Sequence, residues 1–242
     1  MPGAAIALFF ALDQDLESFT KAGAVLVRSE SVGDRTVRTF RLGDHQIFAA
    51  KLQSGQTESA VTGEIILARR AVDAVVSIGV VGALDDAFAP GTIIVVDKIL
   101  GWQTGGVGPN GWTETPRSRP GITPWTQLVV PSDTQTAGVA SGDMFIASEA
   151  ERGRLKSVTA MPLVDMNLLG LQTAINTHHL PALHLRIVSD RANDEAGEAF
   201  RRFAREYRGE LGQKTAVLIK QLPTDPASPS AYPGLKLLDP EP

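Results

Sequence analysis

The chain contains no cysteine, which removes disulfides, thiolate metal sites and a catalytic thiol at once. Only four histidines occur among its 242 residues. His45 and His184 stand alone, and the adjacent His178 and His179 face different ways on a helix, so no zinc-binding spacing exists. Cationic clusters are missing too. With a net charge of −4 and no dense run of Lys and Arg, a nucleic-acid partner is not expected. No apolar stretch is long enough to span a bilayer. The apolar start AAIALFFAL (4–12) has no basic residue before it and meets Asp13 at once, so it reads as a strand and not as a secretory leader. The glycines of GGVGPNG (105–111) lack a following Lys-Ser/Thr and make no phosphate-binding loop. The absence of cysteine is compatible with the cytoplasmic location expected here, and no metal and no cofactor are expected.

What is present is a full complement of core-forming residues, 43% hydrophobic against 21% charged. Strands are expected at 4–12, 24–28, 35–41, 46–52, 72–80, 92–100, 127–130, 137–140, 161–166 and 182–189. Several are continuous Val/Ile/Leu/Ala runs, as suits strands buried on both faces. Helical spacing falls between them, at 13–22, 56–71, 148–157, 167–179 and 195–222, with Ser148 and Glu151 spaced as a capping box. Strands alternating with helices predict an α/β domain over 1–222. The Gly/Pro-rich segment 101–126, with Trp102, Trp112 and Trp125, reads as a long loop that shields a pocket or meets a second subunit. The tail from Pro223 to Pro242 holds six prolines and reads as extended surface chain.

In an open α/β sheet, ligands bind beyond the carboxyl ends of the strands. The first strand ends on Asp13, Gln14 and Asp15. The fifth ends on Gly79-Val80-Val81-Gly82. The strand at 137–140 leads into SGDMFI (141–146), that at 161–166 into Asp165-Met166-Asn167, and the last into Ser189-Asp190. Polar and glycine-rich ends that converge on one sheet edge make a candidate site. A carboxylate ending the apolar run ALHLRIVSD (182–190) stands where desolvation would raise its pKa.

The order of SGDMFI, VDMN (164–167) and RIVSDRAND (186–194), with SIGVVGALDDAFAPGTIIVVDKIL (77–100) before them, resembles the nucleoside phosphorylase/nucleosidase superfamily. Its methylthioadenosine/S-adenosylhomocysteine nucleosidase branch is the most similar. The resemblance implies a three-layer α/β/α phosphorylase-like fold with a mostly parallel, twisted mixed central sheet. It also implies hydrolysis of the N-glycosidic bond of an adenine-type nucleoside, and a homodimer. By the same resemblance Asp190 is the general acid for purine N7, with Ser189 orienting it. Phe145 stacks on the base, the Ile146 backbone hydrogen-bonds it, and Met166 lies under the ribose. Asp165 stands in the same substrate-binding strand end. Val80 and Val81 border the ribose, and Asp15 activates the attacking water. Two positions depart from the family. Asn167 stands where a Glu grips the ribose hydroxyls, and Asp15 is one methylene shorter than the usual Glu. Each also has a plain structural reading: Asn167 as the cap of its helix, and Asp15 as a favourable charge at a helix N-terminus. Arg186, inside the last strand, invites a carboxylate partner such as Asp165. Phosphorolysis would need a cationic cradle, and the acidic Asp13, Asp15 and Glu17 after the first strand oppose one, so water is the expected nucleophile.

Overall fold

The computed structural model of the chain describes residues 3–109, 111–114, 117–120 and 134–222. The strand expected at 127–130, Trp125 and the tail 223–242 lie outside the described residues. Three strands form the heart of the molecule: β1 (Ala5–Phe10), β5 (Ala74–Ala83) and β12 (Ala182–Asp190). Every residue of β12 is buried, the polar His184 and Arg186 among them, as suits a central strand of a sheet covered on both faces. β12 runs parallel to β5 and antiparallel to β6 (Ile93–Gly101). On the far side of β5, β1 pairs in parallel with both β5 and β4 (His45–Lys51), and β3 (Arg35–Leu42) and β2 (Val25–Val32) extend the sheet as antiparallel strands. On the other side, β10 (Thr136–Ser141) and β11 (Leu163–Asp165) follow β6. β11 also meets the end of β5, pairing Val164 with Gly82, so this half of the mixed sheet curls back on itself.

Helices cover both faces. On one face α1 (Asp13–Lys21) and α6 (Glu210–Lys220) place Leu16, Phe19, Leu211 and Ile219 against Leu8, Ile78 and Leu185. On the other, α2 (Gln56–Leu67) and α4 (Leu168–Thr177) bury Ile66, Leu171 and Ile175 against Phe9 and Val75. The three-layer α/β/α arrangement implied by the family resemblance is the one observed. α3 (Glu149–Thr159) is capped by Ser148, whose hydroxyl accepts the Glu151 N–H, the first of the two bonds of a capping box, while the Glu151 carboxylate pairs with Arg154.

Two segments differ from their sequence patterns. The helix expected over 195–222 is two helices, α5 (Ala196–Glu206) and α6, separated by Tyr207-Arg208-Gly209. Gly209 adopts φ +80°, and a side chain there would overlap the Gln14 carbonyl. The break lets α6 lie directly on α1, a demand of packing that helical spacing does not carry. The 101–126 loop contains a small hairpin of β7 (Gly105–Gly108) and β8 (Gly111–Glu114), then β9 (Arg117–Pro120) paired to β6. Its Trp102 is buried in a cluster with Ile146, Val164 and Ala192.

Candidate active site

Asp190 is the last residue of β12. The β12–β5 register shifts between Val188 and Asp190, so that Asp190 pairs with Gly82. A bulge of this kind re-aims the side chains around it, and it brings two consecutive residues, Ser189 and Asp190, to one place. The Ser189 hydroxyl donates to Asp190 Oδ2 at 2.7 Å and lies 3.2 Å from the Val81 carbonyl. The Ala192 N–H donates to Asp190 Oδ1 at 2.9 Å. Asp190 is only 2% exposed. Burial pushes its pKa up, against the smaller opposing effect of the Ser189 and Ala192 hydrogen bonds. Gly82 is needed here: a Cβ would stand 3.1 Å from Asp190 Oδ1 and 3.3 Å from both Ala192 and Val164.

Asp190 and Ser189 line a cleft of about 210 Å³. β5 contributes Val80, Val81 and Gly82 to its wall, and the segment after β10 contributes Met144, Phe145 and Ile146. Asp165, Met166 and Asn167 come from the end of β11. Phe145 is 45% exposed, and its ring meets that of Phe200 at 5.9 Å. Phe200, which α5 holds over the cleft, was not singled out in the sequence. Its only signal was a place on the helical apolar stripe beyond Asp190. Leu12 and Ser54 also reach the cleft.

Asn167 precedes α4, yet its side chain makes no capping hydrogen bond. Other groups satisfy the helix's free N–H donors. Asp165 Oδ2 accepts from Leu168 N–H at 3.0 Å, the Ser141 hydroxyl from Leu169 N–H at 3.0 Å, and Gln56 Oε1 from Gly170 N–H at 2.7 Å. The capping reading of Asn167 is therefore corrected: Asp165 at the end of β11, Ser141 at the end of β10 and Gln56 at the start of α2 take the cap, and the Asn167 side chain is free to face the cleft.

Beneath the cleft lies a buried polar network. Arg186 Nη1 donates to the Ser77 hydroxyl at 3.1 Å, to the Ser77 carbonyl at 3.1 Å and to the Leu185 carbonyl at 2.9 Å. The Ser77 hydroxyl meets His184 Nδ1 at 2.8 Å, and His184 Nε2 meets Gln172 Oε1 at 2.6 Å. The amide oxygen can only accept, so Nε2 carries the proton and Nδ1 accepts from Ser77. Burial and the Arg186 charge push the His184 pKa down to about 3, which keeps the ring neutral. Arg186 Nε stands 3.9 Å from Asp165 Oδ2. Burial outweighs this long ion pair on both sides, raising Asp165 and lowering Arg186 to about 10.

Asp15 is the one expected site residue outside the cleft lining. It lies on the first turn of α1, fully buried. Its Oδ1 accepts from the Tyr207 hydroxyl at 2.5 Å and from Gly212 N–H at 3.1 Å. Among the described residues, Asp15 Oδ2 and Arg186 Nε and Nη2 are buried without a hydrogen-bond partner. Desolvation, first of several causes, pushes the Asp15 pKa up to about 6, while Tyr207, Gly212 and Arg186 pull it down. Among the described residues no group of three or more His, Asp or Glu is placed to hold a metal ion, and no helix is long and apolar enough to cross a membrane.

A model of the Phosphorylase superfamily matches residues 5–221. The chain belongs to that superfamily. A 5′-methylthioadenosine/S-adenosylhomocysteine nucleosidase from Staphylococcus aureus is 24% identical over 193 residues, which cover 75% of this chain and 84% of that protein. The S-adenosylhomocysteine nucleosidase of Streptococcus pyogenes, solved with 5-methylthiotubericidin, superposes with a TM-score of 0.79 at 22% identity, covering 92% of this chain and 99% of the other. A futalosine hydrolase of Helicobacter pylori gives a TM-score of 0.76 at 20% identity, covering 90% of this chain and 97% of that one. At these identities the structural likeness is one of fold. The cleft lies at the carboxyl ends of β5, β11 and β12.

Proposed function

We propose that the protein is a nucleosidase that hydrolyses the N-glycosidic bond of a purine nucleoside, with an adenine-type nucleoside of the methylthioadenosine or S-adenosylhomocysteine kind as substrate. The observation that carries this reading is the position of Asp190, a desolvated carboxyl group in the same cleft as the Phe145 ring and the Met166-Asn167 corner. Cleavage of such a bond passes through an oxocarbenium-like sugar. The departing purine is a poor anion and needs a proton. Asp190, with its pKa raised by burial, gives that proton to N7 as the bond from C1′ to N9 breaks. The two electrons of the broken bond stay with the base. Water adds to C1′, and its proton goes to a carboxylate, for which Asp15 is the candidate. Because Asp15 lies behind the lining, the water it serves would sit deep, beside Leu12, with the Arg186 charge favouring the ionised carboxylate. Phe145, backed by the Phe200 ring, would stack on the base, and Asn167 would hydrogen-bond the ribose.

Water is favoured over phosphate because no Arg or Lys is among the described residues that line the cleft, so a phosphate dianion would be desolvated there with no cation to meet it. A nucleosidase for a different or modified nucleoside is a second reading. Asn167, uncharged where the resemblance implies Glu, favours it, and the fold shared with a futalosine hydrolase is compatible with it. As in the family it resembles, the enzyme is proposed to work as a homodimer. The test incubates the protein with methylthioadenosine, S-adenosylhomocysteine, adenosine, inosine and futalosine, with and without phosphate, and follows release of the base. Phosphate-independent release from the first two is the expected result. Release that requires phosphate would reject hydrolysis, and binding of adenine without turnover would reject an enzyme.

A further inference from the structure

Tyr207 sits in the break between α5 and α6, 192 residues along the chain from Asp15. Its ring is buried and stacks on Phe203 with centroids 5.0 Å apart. Its hydroxyl has two partners of opposite kind: it accepts from Leu211 N–H at 3.0 Å and meets Asp15 Oδ1 at 2.5 Å. A phenol has one proton to donate, and an N–H cannot accept it, so that proton is committed to Asp15. The Gly212 N–H donates to the same carboxylate oxygen, and a side chain at Gly212 would overlap the Asp15 carbonyl. Two donors therefore fix Oδ1 from the α6 side, and Oδ2 is left buried with no protein partner. A charged carboxylate buried in this way is costly unless its remaining lone pairs are met by a donor. Water, the proposed nucleophile, is such a donor.

We infer that Tyr207 is a positioning residue for Asp15: by clamping Oδ1 it fixes the carboxylate plane and leaves Oδ2 as the one oxygen able to take a proton from water. The role of the water rests on the nucleosidase reading above; the clamp itself rests on the geometry. The groups that bear on the Asp15 charge are Tyr207 from the α5–α6 joint and the Gly212 N–H from α6, which both favour it through hydrogen bonds, Glu210 from α6, which disfavours it, and Arg186 from β12, which favours it. Among the side chains, only Tyr207 both orients the carboxylate and stabilises its ionised form through a hydrogen bond. Tyr207 keeps its own proton at working pH, because burial and the neighbouring Asp15 push its pKa up.

The bland alternative is a staple between α1 and α6 that contributes stability alone. Three variants of the full chain separate the two: Tyr207→Phe, Tyr207→3-fluorotyrosine, and Phe203→Leu, which loosens the same packing but spares the hydroxyl. The readouts are the Asp15 carboxyl titration by ¹³C NMR on the free protein, and kcat and KM against pH. In Tyr207→Phe the Asp15 titration moves up, the acidic limb of kcat moves with it, and kcat falls about 10-fold with KM nearly unchanged. The fluorinated tyrosine, a stronger donor in an almost unchanged shape, moves the titration down, so the inference stays testable even if Tyr207→Phe does not fold. Phe203→Leu lowers the melting temperature and moves neither titration nor limb. An Asp15 titration that ignores both Tyr207 variants overturns the clamp. A wild-type protein that releases no base from any nucleoside instead overturns the function proposed above, and the NMR arm still decides whether Tyr207 governs Asp15.

Discussion

Asp190→Asn separates chemistry from folding more sharply than any other single change here. The new amide keeps an oxygen for the Ala192 N–H, now 2.9 Å from Oδ1. Its nitrogen faces the Ser189 hydroxyl, which can turn its proton to the Val81 carbonyl, 3.2 Å away, and accept from the amide. Every hydrogen bond thus has a replacement, and the volume is unchanged. Stability should rise or stay level at pH 7. Burial raises the pKa of the native carboxyl group, so its favourable contribution is complete below the ordinary carboxylate range and is lost as pH rises through the raised value. The amide never ionises and escapes that loss, so its advantage should shrink as the solution is acidified. Activity should behave in the opposite way. Loss of a general acid costs about 10²- to 10⁴-fold in rate, equivalent to about 3–5 kcal/mol at the transition state. The assay is single-turnover release of adenine from methylthioadenosine at pH 7, beside melting curves at pH 7 and pH 4. Turnover within threefold of wild type, or an activity loss that merely tracks a collapse in melting temperature, would refute the reasoning.

Two further changes probe the surroundings of that acid. Gly82→Ala places a Cβ 3.1 Å from Asp190 Oδ1; the protein should fold, lose about 1–3 kcal/mol by overpacking, and lose at least about tenfold in kcat/KM because the carboxyl group is displaced. Unchanged kinetics would show that Asp190 has more freedom than its packing implies. His184, held neutral with a pKa near 3, gives stability that is complete above the ordinary imidazole range and is lost as pH falls. By pH 5 the unfolded chain has taken up a proton that the native state refuses, a loss of about 2 kcal/mol. In urea unfolding at pH 7 and pH 5, His184→Gln should flatten this part of the pH dependence, and an unaltered slope would remove His184 as its source.

Much of the fold was legible because the signals were local. The apolar runs of β1, β5 and β12, the helical stripe of α1, and the Ser148-Glu151 cap are each written within about a dozen neighbouring residues. The strand ends that carry SGDMFI, VDMN and Ser189-Asp190 follow from the same reading, and nine of the ten expected site residues do line one cleft. Asp15 does not, because the side of a helix turn that faces the interior depends on what packs over it. Arg186 was legible as a buried cation in need of Asp165, but the chain through Ser77, His184 and Gln172 was not.

Sequence by itself determined the alternation of strands and helices, the chemical kinds of group at the sheet edge, and a carboxylate closing the last strand. Tertiary structure alone decided four things: the bulge that turns Ser189 and Asp190 to the same side, the break that brings Tyr207 onto Asp15, the shared cap that frees Asn167, and the orphaned atoms of Asp15 and Arg186. The physical reason is range. Backbone preference and periodicity act over one or two turns, whereas each of these arrangements joins groups from distant strands and helices. Their hydrogen bonds exist only once the whole sheet has closed around them.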